Sequence, residues 1–240
     1  MLTEIKELYS NDAVESNFNQ QNLMKLLIQS PQVKHEYRKM KKNHVINPIK
    51  SNEIYFLTSG IIVSQHQDFP ISLQQTNEFI GLDTIILQGD YVDNYRPIID
   101  CEVIVFQKSE VLLELLSHQE GWLFLALEMQ KQNNVLTNRY LLMNENSFSR
   151  LSATFFELAS KFGVKQDDAY ILPKYFSKKF ISEYAGLSPS SLKKMESLLK
   201  EEGIVDFVDK IYIVYLERYA NSEKAIYNPK VLQKWLEKEQ

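Results

Sequence analysis

The chain has 240 residues, a net charge of −4 and 44% hydrophobic residues, which is typical of a globular protein with one large or two smaller domains. It contains no apolar run of about 18 residues or more, and its first residues lack the pattern of a signal peptide. We therefore expect a cytoplasmic protein without a membrane partner. The single cysteine, Cys101, excludes an intramolecular disulfide and a thiolate-rich metal site, and the four histidines show no metal-ligand spacing. No metal and no cofactor are expected.

The first half of the chain changes from a helical pattern to a strand-like one. Residues 3–40 carry apolar residues at loosely helical spacing, interrupted at Pro31, and are predicted to be helical. From His44 onward, short β-rich runs recur at intervals of about ten residues, separated by Ser, Asn, Gly and Pro. They cover residues 45–49, 54–57, 61–66, 71–74, 79–82, 84–87, 95–99 and 101–106. Short strands of even spacing favour a sandwich or a jelly-roll barrel.

A long helix is predicted for residues 110–143, which are interrupted only by Gly121. The residues expected to close the barrel are Val111, Leu112, Leu115 and Leu116. Beyond Gly121, steps of four and three residues alternate as in the seam of a two-stranded coiled coil. The seam residues are Trp122, Ala126, Met129, Asn133, Leu136, Tyr140 and Met143. Alternatively, Leu123, Leu125 and Leu127 pack against the barrel, and one helix could serve both partners.

Three further features follow the long helix. Residues 144–147 break the pattern and are expected to form a hinge. Residues 148–162 then have the spacing of an amphipathic helix, which Gly163 ends. Residues 229–239 are predicted to form an additional terminal helix.

The stretch of residues 175–215 has the pattern of a helix, a tight turn, a second helix and a hairpin. Ser177 can cap the first helix, which Gly186 ends. Ser188 and Pro189 begin the second helix, and Gly203 ends it. Two short strand-like runs follow, residues 204–207 and 211–215. This order predicts a winged helix-turn-helix, which lays its second helix in the major groove of DNA.

The order of residues in this stretch resembles the C-terminal domain of the Crp/Fnr family of bacterial transcription regulators. The motifs are Ser177-Lys178-Lys179, Ala185-Gly186-Leu187-Ser188 and Gly203-Ile204-Val205. Residues 52–63, with Gly60 at a turn, are similar to the strand–turn–strand of a cyclic-nucleotide-binding-like barrel. The resemblance covers about 200 residues and implies an α+β fold in which a β jelly-roll barrel, a dimerisation helix and a winged domain occupy residues 1–118, 119–146 and 147–240. The Asn/Lys/Ile-rich composition looks like the PrfA-type branch.

The resemblance also implies partners and site residues. The partners are double-stranded DNA with an inverted repeat, a second copy of the chain and RNA polymerase. The base-reading positions fall on Pro189, Ser190, Lys193 and Lys194, beside Ser188 and Ser191 in the same turn of helix. Lysine reaches the acceptors of guanine as a point charge, with less geometric discrimination than arginine. The residues expected to contact phosphates are Ser177, Lys178, Lys179 and Lys210.

The effector site of the family is changed in this sequence. Cyclic-nucleotide binders of the family have a Gly-Glu pair and an arginine followed by a small hydroxyl residue. Here the pair is Gly81-Leu82, and Arg96 is followed by Pro97. Leucine cannot accept a hydrogen bond from a ribose, so the usual cyclic-nucleotide recognition is not expected. The candidate pocket residues are Gly81, Leu82, Arg96 and Cys101. Arg96 either binds an anion or forms a surface salt bridge, and Cys101 is either buried and inert or a reactive thiol.

The charge balance of the predicted DNA-binding stretch leaves a second function open. Residues 165–215 contain eight lysines and eight acidic residues, so they have no basic surplus. Glu196, Glu201 and Glu202 are expected to lie late in the second helix, away from the lysines of the DNA face. The alternative is a ligand-sensing module that acts through protein contacts and has a vestigial DNA-binding domain. An enzyme is not expected, because the chain contains none of the common catalytic motifs.

Overall fold

The computed structural model describes the backbone of residues 10–86 and 93–220. The chain divides into two compact units, Met1–Thr137 and Asn138–Gln240. The terminal helix predicted for residues 229–239 lies outside the described residues. No helix within the described segments combines the length and the apolar character that a membrane span requires. In the same segments, no three His, Cys, Asp or Glu side chains come together in a way that could hold a metal ion.

The described residues of the N-terminal unit form two antiparallel sheets and three helices, followed by the beginning of a fourth helix. Its helices are α1 (Asn11–Asn17), α2 (Gln20–Gln29) and α3 (Lys108–Ser117), and α4 (Trp122–Met143) continues into the second unit. Its strands are β1 (His35–Met40), β2 (Glu53–Ser59), β3 (Ile62–His66), β4 (Phe69–Gln74), β5 (Glu78–Ile80), β6 (Asp93–Pro97) and β7 (Cys101–Gln107). The strand orders are β1-β7-β2-β5 and β4-β3-β6. This arrangement confirms the predicted α+β class with antiparallel sheets.

Strand β2 separates two apolar clusters because successive side chains of a strand point to opposite faces. Ile54 and Phe56 belong to a cluster that includes residues of α2 and α3, such as Leu27 and Val111. Tyr55 and its alternate neighbours belong to a second cluster with residues of β1, β3, β6 and β7. The strand is therefore buried on both faces, which explains its nearly continuous apolar sequence.

Several predicted elements of the N-terminal unit were wrong. Residues 35–40 are not helical but form β1, which pairs with β7 in six register pairs. Its residues are mostly exposed, so the strand has no apolar alternation to identify it. Within the described part of the chain, residues 45–49 make one β-bridge, between Ile46 and Tyr95. The next residues turn, and the Asn47 side chain accepts a hydrogen bond from the backbone N–H of Lys50.

The closing helix of the barrel matches the prediction in part. Val111 and Leu115 are fully buried on α3. Leu116 is exposed, as is Leu113 three residues earlier, so this side of the helix does not close the barrel.

Residues 82–84 form a short 3₁₀ turn rather than part of a strand.

The C-terminal unit packs helices against a small four-stranded sheet. Its helices are α5 (Ser147–Phe162), α6 (Lys178–Tyr184), α7 (Pro189–Glu201) and α8 (Leu216–Ala220). Its strands are β8 (Val164–Gln166), β9 (Ala169–Ile171), β10 (Val205–Val208) and β11 (Ile211–Val214), in the order β10-β11-β9-β8. The sequence patterns predicted α5, α6, α7 and the β10–β11 hairpin, but not the β8–β9 hairpin or α8. The fully buried side chains of Leu151, Phe155, Leu199 and Tyr212 form the centre of this unit.

Candidate nucleic-acid interface

Helices α6 and α7 are joined by a turn whose geometry is fixed by local interactions. The Ser177 side chain accepts a hydrogen bond from the backbone N–H of Phe180 and caps α6. Gly186 has a φ of 62°, a left-handed conformation that glycine adopts at no steric cost. The hydroxyl of Ser182 donates to the carbonyl of Leu187 at 2.7 Å. The predicted helix-turn-helix is therefore present, with both caps and the glycine turn where the sequence indicates them.

The start of α7 is exposed and polar. Ser188 accepts a hydrogen bond from the N–H of Ser191 at 3.2 Å, and its hydroxyl lies 3.0 Å from that of Ser190. Leu192 and Leu199 are buried on the inner side of the helix, whereas Lys193 and Lys194 are exposed. Residues 190, 193 and 194 lie three and four positions apart and so share one helix face. This face carries the predicted base-reading residues.

Replacing Ser188 with alanine is expected to lower the free energy of unfolding by about 1 kcal/mol, because α7 loses the acceptor at its N-cap. Replacing it with glycine, which is tolerated at this position, should lower it by only a few tenths of a kcal/mol. Urea denaturation of the two variants provides the comparison. Equal losses for alanine and glycine would show that the cap does not stabilise the helix.

The wing is a tight hairpin. Val208 pairs with Ile211, which leaves Asp209 and Lys210 as a two-residue turn. Both have positive φ, 52° and 65°, as in the type I′ turns that suit the twist of a β-hairpin. Lys210 is exposed at this tip. The wing therefore presents a lysine on a short and well-defined loop.

The lysines predicted to contact DNA differ in their partners. Lys178 forms an ion pair with Glu196 at 2.7 Å and lies over the ring of Phe207. Lys179 is highly exposed and is 3.9 Å from Glu183. Among residues 10–86 and 93–220, no carboxylate pairs with Lys193, Lys194 or Lys210. The expected position of Glu196, away from the lysines of the DNA face, was therefore wrong.

The long helix α4 has a buried side and an exposed apolar side. Phe124 and Leu125 are buried in the apolar cluster of the barrel, Leu123 is also buried, and Leu127 is only half-buried, so the predicted packing of Leu123, Leu125 and Leu127 against the barrel is matched in part. Four large seam residues are exposed, with fractional exposures of 58% for Trp122, 47% for Met129, 51% for Leu136 and 68% for Tyr140. Of the remaining seam residues, Asn133 is exposed and Ala126 and Met143 are half-buried. The apolar residues of α4 therefore include a buried set, as expected for packing against the barrel, and an exposed set, as expected for pairing with a second copy.

The last part of α4 holds the first helix of the helix-turn-helix within the C-terminal unit. Arg139 is buried, and its guanidinium donates a hydrogen bond to the carbonyl of Tyr184 and lies 4.6 Å from the centre of the Tyr184 ring. The hydroxyl of Tyr184 in turn donates to the carboxylate of Glu157 on α5 at 3.1 Å. The C-terminal end of α6 is thus fixed by charged groups from two other helices.

The four candidate effector residues lie in different surroundings. Gly81 has a φ of 82°, and an added Cβ there would be 2.5 Å from the Cβ of Pro48, which explains the glycine without a ligand. Leu82 is buried in the cluster shared with α2 and α3. Cys101 lies in the second cluster, where burial raises the pKa of its thiol. Arg96 donates to the side-chain oxygens of Gln65 at 2.9 Å and Asn43 at 3.2 Å, and no carboxylate of residues 10–86 or 93–220 pairs with it.

A cavity of about 430 Å³ in the N-terminal unit was not anticipated from the sequence. Its lining includes Arg38, Met40, Glu53 and Tyr55. Arg38 donates to both carboxylate oxygens of Glu53 at 3.1 Å, and this interaction lowers the pKa of Glu53. Burial raises the pKa of the Tyr55 hydroxyl to about 12, and that hydroxyl also donates to Glu53. The side chains of Arg38, Glu53 and Tyr55 are therefore hydrogen-bonded to one another.

Three solved structures share this fold over most of their length. FixK2 from Bradyrhizobium japonicum is 15% identical, and the match covers 84% of this chain and 97% of that protein with a TM-score of 0.62. The c-di-GMP responsive global regulator CLP from Xanthomonas campestris is 13% identical, with coverages of 81% and 99% and a TM-score of 0.65. A transcriptional regulator of the CRP/FNR family from Thermus thermophilus, TTHA1359, is 14% identical, with coverages of 84% and 98% and a TM-score of 0.55.

No protein-family model matches the sequence, and no curated protein matches it. The structural likeness shows that the chain has the fold of the Crp/Fnr regulators, as the resemblance of residues 52–63 and 177–205 implied.

Proposed function

We propose that this protein is a transcription regulator that binds an inverted DNA repeat as a homodimer through its winged helix-turn-helix. The observation that carries this proposal is the exposed and capped start of α7, where Lys193 and Lys194 point to solvent without carboxylate partners among the described residues. A helix in the major groove presents its N-terminal residues to the base edges. The shared fold with Crp/Fnr regulators supports the same function.

The exposed seam of α4 supports pairing of two copies. Large apolar side chains that remain exposed in one copy become buried when a second copy packs against them. Asn133 in the middle of the seam would face its counterpart and fix the register. Two winged units held in this way can enter successive major grooves, about 34 Å apart, which is why we propose an inverted repeat.

The roles of the side chains on DNA follow from their positions. We propose that Ser190, Lys193 and Lys194 face base edges, with Pro189 and Ser191 beside them and Ser188 as the cap. The residues that contact phosphates are Ser177 and Lys179 at the start of α6 and Lys210 on the wing. We also propose RNA polymerase as a further partner.

Regulation in this proposal does not use the common cyclic-nucleotide mode. Leu82 is buried in the apolar core of the N-terminal unit, where a carboxylate would be needed to bind a ribose hydroxyl. The changed effector-site residues and the Asn/Lys/Ile-rich composition support a place near the PrfA-type branch. We also propose that the protein has no catalytic activity and acts in the cytoplasm.

Selection from a pool of random duplexes tests this proposal. Purified protein is expected to enrich an inverted repeat at moderate salt and to bind it as two copies. The balanced charge of residues 165–215 favours the second candidate, a protein-interaction module with a vestigial DNA-binding domain. Failure to enrich any repeat, at low or moderate salt, would support that candidate and exclude the first.

Lys210→Gly is expected to weaken binding to all duplexes and to reduce the salt slope of binding by about 0.9, because one phosphate contact is lost. The wing should not unfold, since Lys210 has a φ of 65° and glycine is favoured in that conformation. Fluorescence titrations at several salt concentrations measure the slope. Lys210→Asn is the matched variant, because it removes the same charge and also tolerates the turn. A slope that changes in one variant only would mean that turn flexibility, and not charge, affects binding.

A further inference from the structure

Glu196 lies at a junction of three elements within the C-terminal unit. It projects from the middle of α7, and its side chain is only 13% exposed. One carboxylate oxygen is 2.7 Å from the ammonium of Lys178, at the start of α6. The other accepts a hydrogen bond from the hydroxyl of Tyr212 on β11. The Glu196 side chain on α7 is therefore linked to α6 by an ion pair and to the wing by a hydrogen bond.

Aromatic rings extend this junction into the core. The ammonium of Lys178 is 4.1 Å from the centre of the Phe207 ring, a cation–π contact. Phe207 contacts Tyr212, whose ring also packs against Phe155 of α5 with centroids 4.8 Å apart. Tyr212 is 1% exposed, and its burial, together with the nearby Glu196 carboxylate, raises the pKa of its hydroxyl. The junction thus consists of packed aromatic rings and the ion pair between Lys178 and Glu196.

A carboxylate in this position requires its partners. The Glu196 carboxylate is largely buried, so removing Lys178 would leave it without a compensating charge, which is unfavourable; the Lys178 side chain itself is 47% exposed. Lys178 is correspondingly held on two sides, by the carboxylate and by the ring. Its neighbour Lys179 is 85% exposed and only 3.9 Å from its nearest carboxylate. Two adjacent lysines at the start of α6 therefore have different surroundings.

We infer that Glu196 is a positioning residue that fixes α7 against α6 and the wing, and that Lys178 serves this junction instead of binding phosphate. The phosphate-binding lysine at the start of α6 is then Lys179. This inference rests on the proposed function, and it corrects the role that the family resemblance implies for Lys178. It predicts that substitution of Lys178 changes the discrimination between DNA sequences, whereas substitution of Lys179 changes the salt dependence of binding.

Titration of three variants against the selected repeat and a mismatched repeat, each at several salt concentrations, tests the inference. Lys178→Met keeps the aliphatic stem over Phe207 and should reduce the affinity ratio between the two duplexes while leaving the salt slope unchanged. Lys179→Met should reduce the slope by about 0.9 and leave the ratio unchanged. Lys178→Arg, which keeps both the ion pair and the ring contact, should restore the ratio. A slope reduced equally by Lys178→Met and Lys179→Met would overturn the inference.

A double-mutant cycle on thermal unfolding separates this inference from the proposed function. Glu196→Gln, Lys178→Met and the double variant are compared without DNA. The double variant is expected to lose less melting temperature than the sum of the single losses, because each single change already breaks the same ion pair. Additive losses of melting temperature would contradict the inferred junction, even if the wild-type protein binds DNA in a separate experiment. A wild-type protein that selects no repeat, with a non-additive cycle, would instead contradict the proposed function alone.

Discussion

Leu136→Asp is expected to convert the protein from a dimer to a monomer and to reduce its affinity for the full inverted repeat by a factor of about 100 or more. Leu136 is 51% exposed in one copy, so the substitution leaves the core of that copy intact. In the paired state, two aspartates would face each other in an apolar seam, where unpaired charges are unfavourable. A protein that reads two half-sites through linked subunits gains affinity by a factor of about 10² to 10⁴, and a monomer loses this gain.

Light scattering combined with size-exclusion chromatography measures the oligomeric state of this variant. Leu141→Asp is the matched control, because Leu141 is 58% exposed on the same helix but lies outside the seam. The control should remain dimeric, and binding of Leu136→Asp to an isolated half-site should equal that of the wild type. A Leu136→Asp protein that remains dimeric would exclude this seam as the interface.

Lys194→Ala is expected to reduce discrimination between the selected repeat and single-base-pair variants of it by about 1–3 kcal/mol at the position that it reads. Lys194 is exposed on α7, and no described residue forms an ion pair with it. Its ammonium is therefore available for acceptors in the major groove. The effect should be confined to one base pair in each half-site, because one side chain reaches one or two bases.

Competition titrations at a fixed salt concentration, with a set of duplexes that vary one base pair at a time, measure this discrimination. Lys200→Ala is the control on the same helix, because Lys200 pairs with Asp206 at 2.8 Å and lies in the last turn. It should leave discrimination unchanged. An equal loss of affinity on every duplex for Lys194→Ala would assign Lys194 to phosphate contact rather than to base reading.

The helix-turn-helix could be predicted from the sequence because its signals are local. A cap such as Ser188 bonds to a residue three positions away, and Gly186 and Gly203 each supply a left-handed conformation at the end of a helix. The strand β1 could not be predicted in the same way. Its residues are polar and mostly exposed, and it forms a strand only because β7, about 65 positions further along the chain, pairs with it.

The candidate site was predictable to a similar extent. The exposed lysines of α7 follow from helical spacing, since Leu192 and Leu199 set the buried side. The position of Glu196 does not follow from spacing alone. Its partners are 18 positions before it and 16 positions after it, and an acidic residue in an amphipathic helix is ordinarily assigned to solvent. The different surroundings of Lys178 and Lys179 were missed for the same reason.

The contact between Arg139 and Tyr184 links the two binding events of the proposed function. Arg139 precedes the seam residue Tyr140, and it holds the end of α6 within the C-terminal unit. In the proposed dimer, pairing of the subunits near Tyr140 and placement of the helix-turn-helix would therefore depend on the same turn of α4. Thermodynamic reciprocity then requires that DNA strengthens the association of the subunits by the same factor by which association strengthens binding to DNA. The protein concentration needed for half-maximal dimer formation should accordingly be lower in the presence of the inverted repeat than in its absence.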